Sequence, residues 1–181
     1  MATVTIALPS QPEQTALNLR RWAELLADSG LTKLEGRIET DRHGQTIMSP
    51  PPASRHGRLQ SRVTYLLQSL LPDGETLTEC PISTADGVKA ADVAWASAEC
   101  MRELSNRVCF PRAPEICVEV LSGANTQTEM DEKITLYFDA GAREVWVCAQ
   151  SGAVSLFISP KSHPLRASNL CPQFPSQIDL R

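Results

Sequence analysis

Two acidic residues stand where acidic residues are expensive. Asp92 lies in Ala90-Ala91-Asp92-Val93-Ala94-Trp95, and Glu119 in Glu115-Ile116-Cys117-Val118-Glu119-Val120-Leu121, both short apolar runs of strand length. A carboxylate desolvated in such a run costs free energy unless a cation or hydrogen-bond donors meet it. Two of them on adjacent strands make a hard-oxygen pocket. Magnesium and manganese prefer oxygen ligands, and typically take one or two carboxylates while keeping several waters and a substrate phosphate oxygen. Such an ion polarises a phosphoryl oxygen and lowers the pKa of a bound water, the two contributions phosphodiester hydrolysis most needs. The competing reading of Asp92 and Glu119 is structural: they pair with arginine or cap backbone groups.

Lys133 follows on the next helical stretch, from where it could point at the pocket, orient a hydroxide and stabilise developing charge. Its bland alternative is an exposed i, i+4 pair with Glu129, worth only about 0.3–0.5 kcal/mol. The remaining candidates are weak. His56 opens a helix and reads as a surface N-terminal histidine in preference to a general base. His43 and His163 have no metal-ligand spacing. Ser122 lacks a G-x-S-x-G context, and no phosphate-cradling glycine motif occurs, so serine hydrolase and nucleotide-binding readings have no support.

The elements that must hold these residues are legible in the hydrophobic pattern. An arm over residues 1–15, with one short strand at Val4 to Leu8, precedes a helix over Ala16 to Ser29 that places Leu19, Trp22, Leu25 and Leu26 on one face. Arg37 to Met48 forms a hairpin, with Gly44 supplying the reversal and Pro50-Pro51-Pro52 ending it. His56 to Leu71 is an amphipathic helix with Leu59, Val63, Leu66, Leu67 and Leu70 at steps of three and four. Strands follow at Glu75 to Ser83 and Val88 to Ala96, a helical turn at Glu99 to Ser105, and the Glu119 strand. Asn125 or Thr126, the latter with Glu129 as a capping box, starts a helix that Gly141 stops. Two more strands, Glu144 to Ala149 and Ala153 to Ser159, form a hairpin, and residues 160–181 form an irregular tail. Trp95 and Trp146 are core residues in this pattern.

A chain of 181 residues fits one domain. A hydrophobic fraction of 42% and a charged fraction of 21% exclude disorder and coiled coil. No run of about 18 apolar residues and no signal-peptide pattern occurs, so a cytoplasmic protein without membrane contact is expected. The six cysteines, none spaced C-x-x-C, read as buried free thiols. A net charge of −4 argues against indiscriminate nucleic-acid binding, so any basic footprint must be local. Between Lys33 and Arg62, six basic residues stand against three acidic ones.

The order of these features resembles the Uma-two family of restriction-endonuclease-like proteins, over roughly residues 34–157. The resemblance rests on the proline-rich stretch before His56-Gly57 and its helix, on Asp92-Val93-Ala94-Trp95, and on Pro114 through Ser122. Lys133, Tyr137, Ala140-Gly141-Ala142 and Glu144-Val145-Trp146-Val147 complete it. It implies the PD-(D/E)XK nuclease superfamily, with an α/β (α+β mixed), restriction-endonuclease-like central sheet flanked by helices. It further implies a Mg2+ or Mn2+ cofactor and phosphodiester cleavage of DNA. By position, Asp92 and Glu119 match the metal carboxylates, Lys133 matches a lysine displaced from strand to helix, and Glu39 matches a further acidic catalytic position. The chain departs from the pattern at Ala91, where proline is usual, at Leu121, where the motif's lysine is missing, and at Ser122-Gly123-Ala124, where Ser-Pro-Ser is common.

Three functions compete. A metal-dependent endonuclease leads, with a homodimer favoured because two-fold symmetry suits cutting two strands. A degenerate nuclease fold acting as an oligomeric binding or scaffolding module follows, favoured by Ala91 and Leu121. A small-molecule hydrolase comes third, since no dedicated recognition motif appears.

Overall fold

The computed structural model describes residues 9–33, 36–104, 107–123 and 125–180, so the strand expected at Val4 to Leu8 lies outside the described residues. Helix α1 spans Gln11–Ala27, starting at Gln11 rather than at Ala16. The cause is local. Ser10 donates its amide and its hydroxyl to the Glu13 carboxylate at 2.8 and 2.7 Å, and Pro12 falls in the first turn, where no amide partner is needed.

Strands β1 (Arg37–Thr40) and β2 (Thr46–Ser49) form the expected hairpin, reversing where Gly44 takes a φ of 76°. Helix α2 spans Ser54–Leu70 and buries Leu59, Val63 and Leu67 completely. Truncating any one of them to alanine would cost about 2–5 kcal/mol. Strands β3 (Gly74–Thr84) and β4 (Gly87–Ser97) follow, then α3 (Ala98–Leu104), β5 (Ile116–Val120), α4 (Gln127–Asp139), β6 (Glu144–Cys148) and β7 (Val154–Phe157). Thr126 and Glu129 form the expected capping box of α4.

The five strands β3 to β7 lie side by side in chain order. All pairs are antiparallel except β5 and β6, which are parallel with α4 as their crossover. Helices cover both faces. One core cluster joins Cys117 and Val145 to Ile134 and Tyr137 of α4. The other joins Val118 and Trp146 to Leu59 and Val63 of α2 and to Phe174 and Ile178 of the tail. This is the mixed α/β sheet flanked by helices that the sequence analysis expected. The strand β5 is buried along its whole length, which explains its unbroken apolar run.

Residues 160–180 carry no helix or strand, yet they are packed, with Cys171, Phe174 and Ile178 each at most 5% exposed. All six cysteines are buried free thiols. Trp146 is fully buried, and half-buried Trp95 donates its indole N–H to the Leu71 carbonyl. Among the described residues, no helix is long and apolar enough to cross a membrane.

Candidate active site

Val93 of β4 sits opposite Val118 of β5, so Asp92 and Glu119 occupy the next opposed positions on two adjacent central strands. The β3–β4 ladder is distorted at the same level. Leu77 with Ala94 and Cys80 with Ala91 all face the α4-side cluster, although three residues separate them along each strand. The two-residue alternation therefore slips by one at Glu79 and Asp92, the two positions missing from the ladder. Glu79 absorbs the slip with a φ of 51°, rare for a residue with a side chain. Freed from regular alternation, the Asp92 carboxylate turns to meet groups from three other elements.

Arg37 of β1 pairs with Asp92 Oδ1 through its Nη2 and with Glu79 through its Nε, the latter at 2.8 Å. His56 Nε2 of α2 lies 3.2 Å from the same Asp92 oxygen, and the Val120 amide donates to Oδ2 at 2.6 Å. Gln60, one turn beyond His56, donates to the Asp92 carbonyl and to Glu79, both at 2.8 Å. Glu119 accepts a 2.6 Å hydrogen bond from the Tyr137 hydroxyl and faces Lys133 Nζ at 3.2 and 3.3 Å. Lys133 also reaches Glu39 at 2.9 Å, and the Ala90 amide donates to that same Glu39 oxygen at 3.0 Å.

The hairpin is what brings Glu39 and Arg37 here. Val88 donates its amide to Thr40 Oγ1 at 2.8 Å, and Lys89 donates to the Thr40 carbonyl at 3.0 Å. Gly87 is approached so closely that a Cβ there would stand 2.3 Å from the Thr40 and Asp41 carbonyl oxygens. No other residue fits that docking point.

The protonation states follow from burial and charge. Burial pushes the Glu119 pKa up to about 7, with the Lys133 ammonium pulling against it and the Asp92 charge adding to it. Burial also works to raise Asp92, but the His56 hydrogen bond, the Arg37 charge and the Val120 amide outweigh it and hold the carboxyl below its ordinary range. Burial opposes the Lys133 charge, and the Glu119 and Glu39 carboxylates more than compensate, so its pKa is raised and it stays an ammonium. His56 is raised chiefly by its hydrogen bond to Asp92, and Tyr137 is raised by burial and by Glu119.

All four expected site residues, Glu39, Asp92, Glu119 and Lys133, thus converge. Lys133 turns inward to the carboxylates rather than outward as one half of a surface pair with Glu129. The structural alternative for Asp92 also has substance, since it does pair with an arginine and cap an amide. His56 corrects an expectation. It is 9% exposed and touches Asp92, because its position on α2 falls on the helix face that Leu59 and Val63 bury. Its Nδ1 is buried without a hydrogen-bond partner among the described residues. Sequence reasoning passed over Arg37, Gln60 and the Tyr137 hydroxyl. Two signals were available: Arg37 and Glu39 alternate on one face of β1, and His56 and Gln60 are polar residues at i, i+4 beside the apolar stripe of α2.

The donor set fits a hard divalent cation. Two buried carboxylates from adjacent strands and a third from the hairpin now hold positive charge supplied by Lys133 and Arg37, and the raised pKa of Glu119 marks an anion that still lacks full compensation. Among the described residues no three His, Cys, Asp or Glu side chains are gathered as a ready cage, so an ion here would draw part of its shell from water or substrate.

A mixed sheet flanked by helices, with an acidic pair on its central strands and a lysine beside them, defines a restriction-endonuclease-like fold. The sequence profile of the Uma2 family, described as "Putative restriction endonuclease", matches residues 22–179, and the chain belongs to that family. Among solved structures, the chain is similar to a crystal structure from Anabaena variabilis titled a putative nuclease belonging to DUF820. The two superpose with a TM-score of 0.61 at 20% identity, over 76% of this chain and 81% of that one. No protein of curated function matches the sequence.

Proposed function

We propose that the chain is a metal-dependent endonuclease that hydrolyses phosphodiester bonds of DNA, working as one domain and as a homodimer. The observation that carries this reading is that Lys133 joins the Glu39 and Glu119 carboxylates, with Asp92 beside Glu119 on the adjacent strand. A magnesium or manganese ion, when bound by Asp92 and Glu119, supplies charge at the phosphoryl oxygen and a more acidic water. The chain's own residues do the rest. Tyr137 fixes the Glu119 carboxylate in place, and His56 and the Val120 amide fix that of Asp92. Lys133, always charged, neutralises the phosphorane as negative charge builds on it and is not the general base. Leu121, at the position where the motif's lysine is missing, explains why the lysine must come from α4.

The test is incubation of supercoiled and linear DNA with the protein in magnesium or manganese, beside Asp92→Asn and Glu119→Gln. Cleavage that needs the ion and disappears in both variants is the expected result. Cleavage equal to wild type in both variants, at matched purity, would sink the reading. A second reading has one observation behind it: Arg37 and Lys133 already pair with the carboxylates, as suits a degenerate fold that binds without cutting. Manganese binding or DNA binding without cleavage would favour that version.

A further inference from the structure

The outer face of α2 was not absorbed by the site. Ser54–Leu70 holds Arg55, Arg58 and Arg62 and not one Asp or Glu, in a chain with 17 basic and 21 acidic residues. Each guanidinium has a neutral neighbour. Arg55 donates through Nε to the Gln150 carbonyl at 2.7 Å, Arg58 donates to the Leu180 carbonyl, and Arg62 lies 5.4 Å over the ring of Tyr65. None of the three pairs with a carboxylate among the described residues. Arg21, Arg37, Arg42 and Arg112 do, while Arg20, Arg102, Arg107, Arg143 and Arg166 do not among the described residues; what sets α2 apart is three such arginines on one helix without an acid. Arginines held in position but left uncompensated present their charge to solvent at little further ordering cost.

The surroundings add to that field. The N-cap of α2 is Ala53, which supplies no capping side chain, and the first turn has no acidic residue, so the positive end of the helix is not neutralised by its own chain. Arg58, Arg62 and Tyr65 line an open concavity of about 850 Å³, together with Ser54 and Ser61, and Asp179 is the one carboxylate among its lining residues. Tyr65 is 60% exposed. Arg55 to Arg62 spans about 10 Å along the axis at 1.5 Å per residue. The same first turn carries His56, which touches Asp92.

We propose that the outer face of α2 is the track for the sugar-phosphate backbone of duplex DNA, with Arg55, Arg58 and Arg62 each meeting a phosphate and delivering the strand to the carboxylate pocket at the N-terminal end of the helix. This rests on the nuclease reading above, and it assigns the binding charge to a helix whose inner face builds the site. It also reconciles a net charge of −4 with a polyanionic substrate, because the basic footprint is confined to one surface.

The experiment measures anisotropy of a fluorescein-labelled duplex against KCl concentration, in an Asp92→Asn background that binds without cutting. Each phosphate contact contributes about −0.9 to the slope of log K against log salt. Arg55→Gln/Arg58→Gln/Arg62→Gln is expected to weaken binding at least tenfold at low salt and to flatten the slope by about 2 to 3. Arg143→Gln/Lys161→Gln/Arg166→Gln, an equal charge change at exposed positions elsewhere, is expected to leave both nearly unchanged. Equal effects of the two triple variants, or an α2 variant that binds like its parent, overturn the track and leave the nuclease reading intact. A parent with no duplex binding, from a wild type that cuts nothing in any metal, overturns the nuclease reading and the track with it.

Discussion

Glu119 and Glu144 are both almost fully buried glutamates of neighbouring strands, 3% and 2% exposed, and they are held in opposite ways. Glu144 accepts from the Trp146 indole at 2.8 Å, the Ser168 hydroxyl at 2.6 Å, and the amides of Asn169 and Leu170 at 2.8 and 3.0 Å. Every donor is neutral, and two are backbone, so the carboxylate is a clamp that fastens the tail to β6. Glu119 has one neutral donor, Tyr137, and otherwise the tip of a flexible lysine that it shares with Glu39. A clamp cannot give up its partners without unfolding something. A carboxylate satisfied by the end of a long cation can exchange that cation for another. Burial alone therefore does not mark a functional carboxylate; the exchangeability of its partners does.

The largest expected effect lies at the two proposed metal carboxylates. Asp92→Asn or Glu119→Gln should lower metal-dependent cleavage by at least a hundredfold, as should chelation by EDTA, while the melting temperature stays within a few degrees; a comparable loss of fold and activity together would erase the distinction from Glu144. Glu144→Ala should do the reverse. It leaves four donors without their acceptor and should cost about 3 kcal/mol or more, lowering the melting temperature by roughly 6–12 °C in a calorimetric scan. Unchanged melting would mean that water replaces the clamp.

Lys133→Met sharpens the pocket side. Loss of the ammonium should reduce the cleavage rate about ten- to a hundredfold with little change in duplex affinity, and a fall in affinity alone would move Lys133 from the reacting centre to substrate binding. The smallest effect concerns Arg37, which pairs with both Asp92 and Glu79. Arg37→Met removes a resident cation from the metal carboxylate, so manganese affinity measured by calorimetry should rise severalfold; weaker binding would make Arg37 a support for Asp92 rather than a competitor of the ion.

Much of this was legible in the linear pattern because it depends on local chemistry. Leu59, Val63 and Leu67 announced α2 by period, Thr126 and Glu129 announced the start of α4 by their reciprocal hydrogen bonds, and Glu119 announced itself as an acid in an apolar strand. The same criterion applied equally to Glu144, which opens the next apolar run, and nothing along the chain could separate the two. The difference lies in Ser168, Asn169 and Leu170, more than twenty residues away in a tail with no periodic signal.

The sequence by itself determined which segments are helices and strands, which faces are apolar, and that Asp92 and Glu119 need partners, since those follow from side-chain period and the cost of burying charge. Only the tertiary structure decided who the partners are. The slip in the β3–β4 ladder at Glu79 and Asp92, the docking of the β1–β2 hairpin on Gly87, and the inward turn of His56 depend on backbone register and on contacts between residues distant in the chain, 55 apart for Arg37 and Asp92. Such contacts are fixed by the packed whole: the local pattern can show that a polar residue faces inward, but not which group it meets.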